Sequence, residues 1–129
     1  MFAKIFLGFT GALFALYGLM CLFVPETLAE YAGFGLDSDV AVTETRAMYG
    51  GLQTAIGVLA LAAVLRPALQ PAVLMALVAL FTGLAGGRLV GIVLESAPGA
   101  YNFGAFGYEA VSLAICWALW QRSPSAAVR

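Results

Sequence analysis

Residues 72–94 read AVLMALVALFTGLAGGRLVGIVL, a run that carries a single charge, Arg88. At ~1.5 Å of rise per residue, a helix over this run is longer than the ~30 Å hydrocarbon core of a bilayer. Three more apolar runs lie around it, at 5–24, 47–65 and 103–120, and the second extends back to about residue 40 as a helix. Each approaches or exceeds the ~18–20 residues that a helical span needs. The chain is 63% hydrophobic and 10% charged, against about 45–50% and about 25% in a soluble domain. These values exclude an ordinary water-soluble globule. The expectation is an all-α fold: a four-transmembrane-helix bundle forming one domain over residues 1–129, with spans at about 5–24, 40–65, 72–94 and 103–120.

The first span is read as retained rather than cleaved. Lys4 gives a positive start, but the apolar core exceeds the ~7–15 residues of a signal peptide, and no small-x-small site follows Val24. Between spans one and two, residues 25–32 make a short amphipathic interfacial helix with Pro25 in its first turn, Leu28 and Tyr31 toward lipid, and Gly33 or Gly35 ending it. Asp37, Ser38 or Asp39 can cap the next helix. Residues 66–71, with Pro67 and Pro71, form a tight inner turn, and residues 96–100 turn the chain at the opposite face.

An even number of spans puts both termini on one side. Lys4, Arg66, Arg122 and Arg129 share that side, and Arg46 stands alone on the other, so the positive-inside rule places both termini in the cytoplasm. Cys21 and Cys116 then differ by roughly 15–20 Å in depth. That is too far for a disulfide, which needs Cα atoms within ~7 Å.

Histidine is absent, which excludes His-dependent triads, HExxH zinc sites and bis-histidine haem. No metal site and no cofactor is expected. A net charge of −1 with scattered basic residues offers no footprint for nucleic acid. Charge inside the spans is the informative feature. Arg88 and Glu109 lie where a central charge costs ~2.5–3.5 kcal/mol on insertion scales, so they need partners or water. Arg46, Tyr49 and Gln53 follow i, i+3, i+7 on span two, and Ala105, Glu109, Ser112 and Cys116 follow the same kind of spacing on span four, so both faces are expected to turn inward. Gly83, Gly87 and Gly91 make a small-xxx-small seam beside Arg88, and span two offers Gly50 and Gly57, so backbones are expected to approach closely around the guanidinium. The candidate polar or ligand-binding cluster is Glu44, Arg46, Tyr49, Gln53, Arg88 and Glu109. Arg88 is long enough to reach Glu109 or Glu44, and no residue is assigned as catalytic.

The block Glu44-Thr45-Arg46-Ala47-Met48-Tyr49-Gly50-Gly51, then Gly87-Arg88 in span three and Glu109 in span four, resembles an uncharacterised family of small bacterial four-helix membrane proteins, a domain of unknown function. The likeness covers nearly the whole chain. Its most specific part is Arg46-Ala47-Met48-Tyr49-Gly50-Gly51, and the chain departs from it at Thr43, where that family often has Asn. The resemblance implies the fold and a bacterial inner membrane, and it implies no activity.

Three function classes stay open. The first is a binding or accessory protein, which holds an amphipathic lipid, isoprenoid or quinone with its head on Arg88 and its tail between helices, or docks as a subunit on a larger membrane complex or a second copy of itself. The second is a lipid-modifying, isomerase-like enzyme using Glu109 and Arg88. The third is a small proton or solute transporter with Glu109 as relay. The missing histidine and nucleophile motif weigh against an enzyme. The lack of a clear internal repeat weighs against a transporter. Membrane lipids are the expected partners.

Overall fold

The computed structural model describes residues 1–95 and 99–123. Ser96, Ala97 and Pro98 of the expected turn, and Arg129 of the charge count, lie outside them. Every regular element among the described residues is helical. Four helical stretches are long and apolar enough to cross a membrane: Phe2–Phe23, Asp39–Leu65, Pro67–Leu94 and Ala100–Gln121. The chain divides into two compact units, Met1–Gln70 and Pro71–Arg129.

In the first unit, helix α1 (Phe2–Phe23) is followed by α2 (Pro25–Ala32), with Pro25 in its first turn and Gly33 ending it in the left-handed region at φ 73°. Proline lacks the N–H that a first turn leaves unsatisfied anyway, and glycine takes positive φ without a Cβ clash. Tyr31 is exposed, but Leu28 is buried rather than turned to lipid, so α2 is pinned by the one large aliphatic on its inner face. Ser38 caps α3 (Asp39–Thr45), its hydroxyl accepting from the Ala41 N–H at 3.1 Å.

The second span is not a uniform helix. Arg46–Gly51 forms a π-turn between α3 and α4 (Leu52–Leu65), closed by the Leu52 N–H donating to the Ala47 carbonyl five residues back. Such a widened turn shifts the helical phase of the residues beyond it.

α1 and α4 run antiparallel and meet backbone to backbone through glycines. A Cβ on Gly57 would strike the Ala15 backbone, and one on Gly18 would strike Thr54. A Cβ on Gly11 would lie 2.8 Å from the Leu61 side chain, and one on Gly50 would lie 2.8 Å from the Leu22 Cα. The partners fall along α4 in reverse order as α1 advances, with two-turn spacing between Gly11 and Gly18 and between Gly50 and Gly57. Lipid offers no hydrophobic drive to pair apolar helices, so close van der Waals contact over small residues is what holds such a pair. Gly50 and Gly57 make their close approach to the first span, at Gly11, Ala15, Gly18 and Leu22, whereas the sequence reading expected it around the Arg88 guanidinium. The 3₁₀ turn Pro67–Leu69 follows α4, and the Gln70 side-chain amide donates to the Ala63 carbonyl at 3.1 Å, satisfying one of the last carbonyls of that helix.

The second unit holds α5 (Gln70–Leu94) and α6 (Ala100–Gln121). α5 buries Val73, Leu77, Phe81 and Ala85, a stripe at four-residue spacing. Here the expectation for the glycine seam fails: nothing lies within 4 Å of a Cβ built on Gly83, Gly87 or Gly91. The cause is helical phase. Gly83 and Gly87 each fall two residues after a buried position, Phe81 and Ala85, roughly 200° around the axis, and so face away from the packed side, and Gly91 continues their four-residue spacing. α5 and α6 instead meet through long side chains. Phe81 and Tyr108 pack edge to face with ring centroids 5.9 Å apart, a favourable aromatic geometry. Cys21 and Cys116 are free and buried.

Candidate functional site

On α6, Glu109, Ser112 and Cys116 are all buried, so the polar stripe of span four turns inward as its spacing predicts. Glu109 meets Arg88 from α5. The Arg88 Nε donates to both carboxylate oxygens at 3.1 and 3.0 Å, and Nη2 donates to Oε1 at 2.8 Å. This is the fork geometry by which a guanidinium binds a carboxylate most strongly. The Glu109 side chain is 6% exposed and that of Arg88 21%. The pair is therefore largely desolvated, and losing one member strands the other charge at a cost of about 3–5 kcal/mol.

Two residues on the first turn of α6 complete the arginine's surroundings. Asn102 Oδ1 accepts from Arg88 Nη1 at 3.2 Å, and the Arg88 guanidinium carbon lies 5.7 Å from the centre of the Tyr101 ring. That distance is within cation–π range. Sequence reasoning placed neither partner among its candidates. The signal was present, because Asn102 precedes Glu109 by two helical turns and so shares its stripe.

Beside this cluster, α5 presents a groove of about 400 Å³. Gly83, Gly87 and Gly91 line it together with Ile92, and its polar residues are Arg88, Glu95 and Asn102. The same phase that keeps the glycines out of the packed side leaves them here, where they make room. The arrangement can offer an apolar chain a smooth bed and a small polar head a hydrogen-bonding end. Both Glu109 oxygens are engaged by Arg88, so this carboxylate serves as the counter-ion of the arginine.

The other sequence candidates belong to the first unit. Arg46 Nε donates to the Leu22 carbonyl at 3.1 Å. Leu22 sits in the last turn of α1, where carbonyls lack helical partners and cations are favoured by the helix dipole. Arg46 thus tethers the π-turn to the end of α1, and the glycine contact of Gly50 with Leu22 brings it within reach. Tyr49 stacks on Phe34 with centroids 6.4 Å apart. Arg46 and Tyr49 are exposed and Gln53 is half-buried, so the stripe on span two does not turn inward as a whole. The π-turn at Arg46–Gly51 breaks the regular phase on which that expectation rested. Glu44 is exposed, and no ion pair joins it to Arg46 among the described residues. No cluster of metal-ligating side chains occurs among the described residues.

No curated protein and no solved structure matches the chain. The family described as domain of unknown function DUF4345 matches residues 2–121. That match takes in the Arg46–Gly51 turn, the Arg88–Glu109 pair and all four membrane-length helices, and the chain belongs to this family of unknown function.

Proposed function

We propose that this membrane protein binds an amphipathic lipid, of isoprenoid or quinone type, in the α5 groove, with the polar head at Arg88 and Asn102 and the chain lying over Gly83 and Gly87. The observation that carries the reading is the coincidence of an open, glycine-lined bed with a fully organised polar cluster. The groove volume of about 400 Å³ falls in the ~300–1,000 Å³ range of small-molecule sites. Apolar lining with a few fixed polar groups is the usual composition of such sites. The engagement of both Glu109 oxygens by Arg88 favours a binding role over an acid–base or proton-relay role. The charge pattern of Lys4, Arg66 and Arg122 supports an orientation with both termini in the cytoplasm, and the resemblance to small bacterial membrane proteins is what suggests an inner membrane.

Native mass spectrometry tests this reading. Nothing lies within 4 Å of a Cβ at Gly87, so a side chain can leave the helix there without a Cβ clash, and Gly87→Phe puts a ring into the bed. Wild-type protein extracted from its membrane should carry a lipid adduct, and Gly87→Phe of equal helicity should carry none. The same adduct on both proteins would place the lipid elsewhere and end the proposal.

A further inference from the structure

Resting on the lipid-binding reading above, we infer that the α5 groove selects isoprenoids whose head carries no negative charge, and rejects the corresponding diphosphates. An arginine at the end of an apolar groove invites the opposite conclusion, that it captures a phosphate. The contacts of Arg88 argue against capture. Its Nη2 and Nε are committed to the Glu109 carboxylate at 2.8–3.1 Å, its Nη1 donates to Asn102, and the Tyr101 ring lies beside the guanidinium. The positive charge is therefore matched within the wall of the groove. The fork of Nε and Nη2 is taken by that carboxylate, so a second anion would meet only remaining Nη N–H groups of a guanidinium whose charge is already matched.

Glu95 then sets the sign of the site. It lines the groove with Arg88, it is exposed, and among the described residues it has no ion pair. Arg88, Glu109 and Glu95 together leave one negative charge in excess. The low-dielectric helices and lipid around the groove weaken screening, so this charge acts on a head at the polar end. An alcohol, a carbonyl or an amine meets hydrogen-bonding groups there, whereas a diphosphate meets an unbalanced carboxylate. The bed suits the first part of the tail: Gly83 and Gly87 lie one turn apart on the side of Arg88 away from Glu95, with no side chain standing on either.

Three ligands with one tail separate these possibilities: farnesol, farnesylamine and farnesyl diphosphate, each titrated into the full chain in phosphatidylcholine nanodiscs. Farnesol and farnesylamine should bind, and the diphosphate should bind about tenfold more weakly than farnesol or worse, as expected for one like charge at groove distances. Glu95→Gln, a change at an exposed position, should narrow that gap several-fold. Equal or tighter binding of the diphosphate, or an unchanged ratio in Glu95→Gln, overturns the inference while leaving the groove as a lipid site. Binding of all three that survives in Gly87→Phe, or binding of none, removes the groove reading and the inference together.

Discussion

Arg88 and Glu109, on different helices of the second unit, are joined by three hydrogen bonds of 2.8–3.1 Å with both carboxylate oxygens engaged. A charge inside an apolar span is tolerated when its partner is held in place, and here the holding is mutual. Asn102 and Tyr101 orient the guanidinium, and Phe81 against Tyr108 packs the two helices one residue away from Glu109 on α6.

Breaking the pair from one side should be more damaging than removing it. Arg88→Met or Glu109→Leu alone should each lose about 3–5 kcal/mol of stability in detergent, and the double variant should lose less than either single one. Thermal or denaturant unfolding followed by circular dichroism would check this, and simple additivity would count against a coupled pair.

Glycines of the two units should respond oppositely to the same change. Gly57→Ala places a methyl group against the Ala15 backbone and should destabilise the first unit by about 1–3 kcal/mol. Gly87→Ala meets open space and should be neutral or stabilise by up to about 1 kcal/mol through helix propensity. A melting comparison of the two variants distinguishes them.

Arg46 should matter through its tether. Arg46→Ala removes the hydrogen bond to the Leu22 carbonyl and should cost about 1–2 kcal/mol. Amide exchange should then speed up in the last turn of α1 and across Arg46–Gly51, leaving the second unit unchanged.

Topology is open to direct measurement. A fluorescent protein fused after the C-terminus should fluoresce in a bacterial host and a phosphatase fusion there should be inactive, because Lys4, Arg66 and Arg122 favour the cytoplasmic side. The reverse pattern would overturn the orientation.

The length and apolarity of the four runs made the helices readable in the sequence, and local chemistry made Pro25, Gly33 and Ser38 readable as helix boundaries. The π-turn at Arg46–Gly51 was not, because a widened turn leaves the same apolar pattern as a regular one and shows itself only in hydrogen bonding. The partnership of Arg88 with Glu109 could be anticipated because unpaired charge in a span is so costly. The destination of the glycines could not. Gly83, Gly87 and Gly91 have the spacing of a packing seam, yet the close packing falls to Gly11, Gly18, Gly50 and Gly57. Spacing fixes which residues share a face and leaves open what that face meets.

The most direct test of a lipid bed on α5 is glycine-selective ¹⁵N labelling of the protein in nanodiscs, followed by titration with farnesol. The account predicts shifts in the amide signals of Gly83, Gly87 and Gly91, with Gly11, Gly18 and Gly57 of the closed α1–α4 contact unmoved. Shifts confined to those closed-contact glycines, or no shift at any glycine, would contradict it.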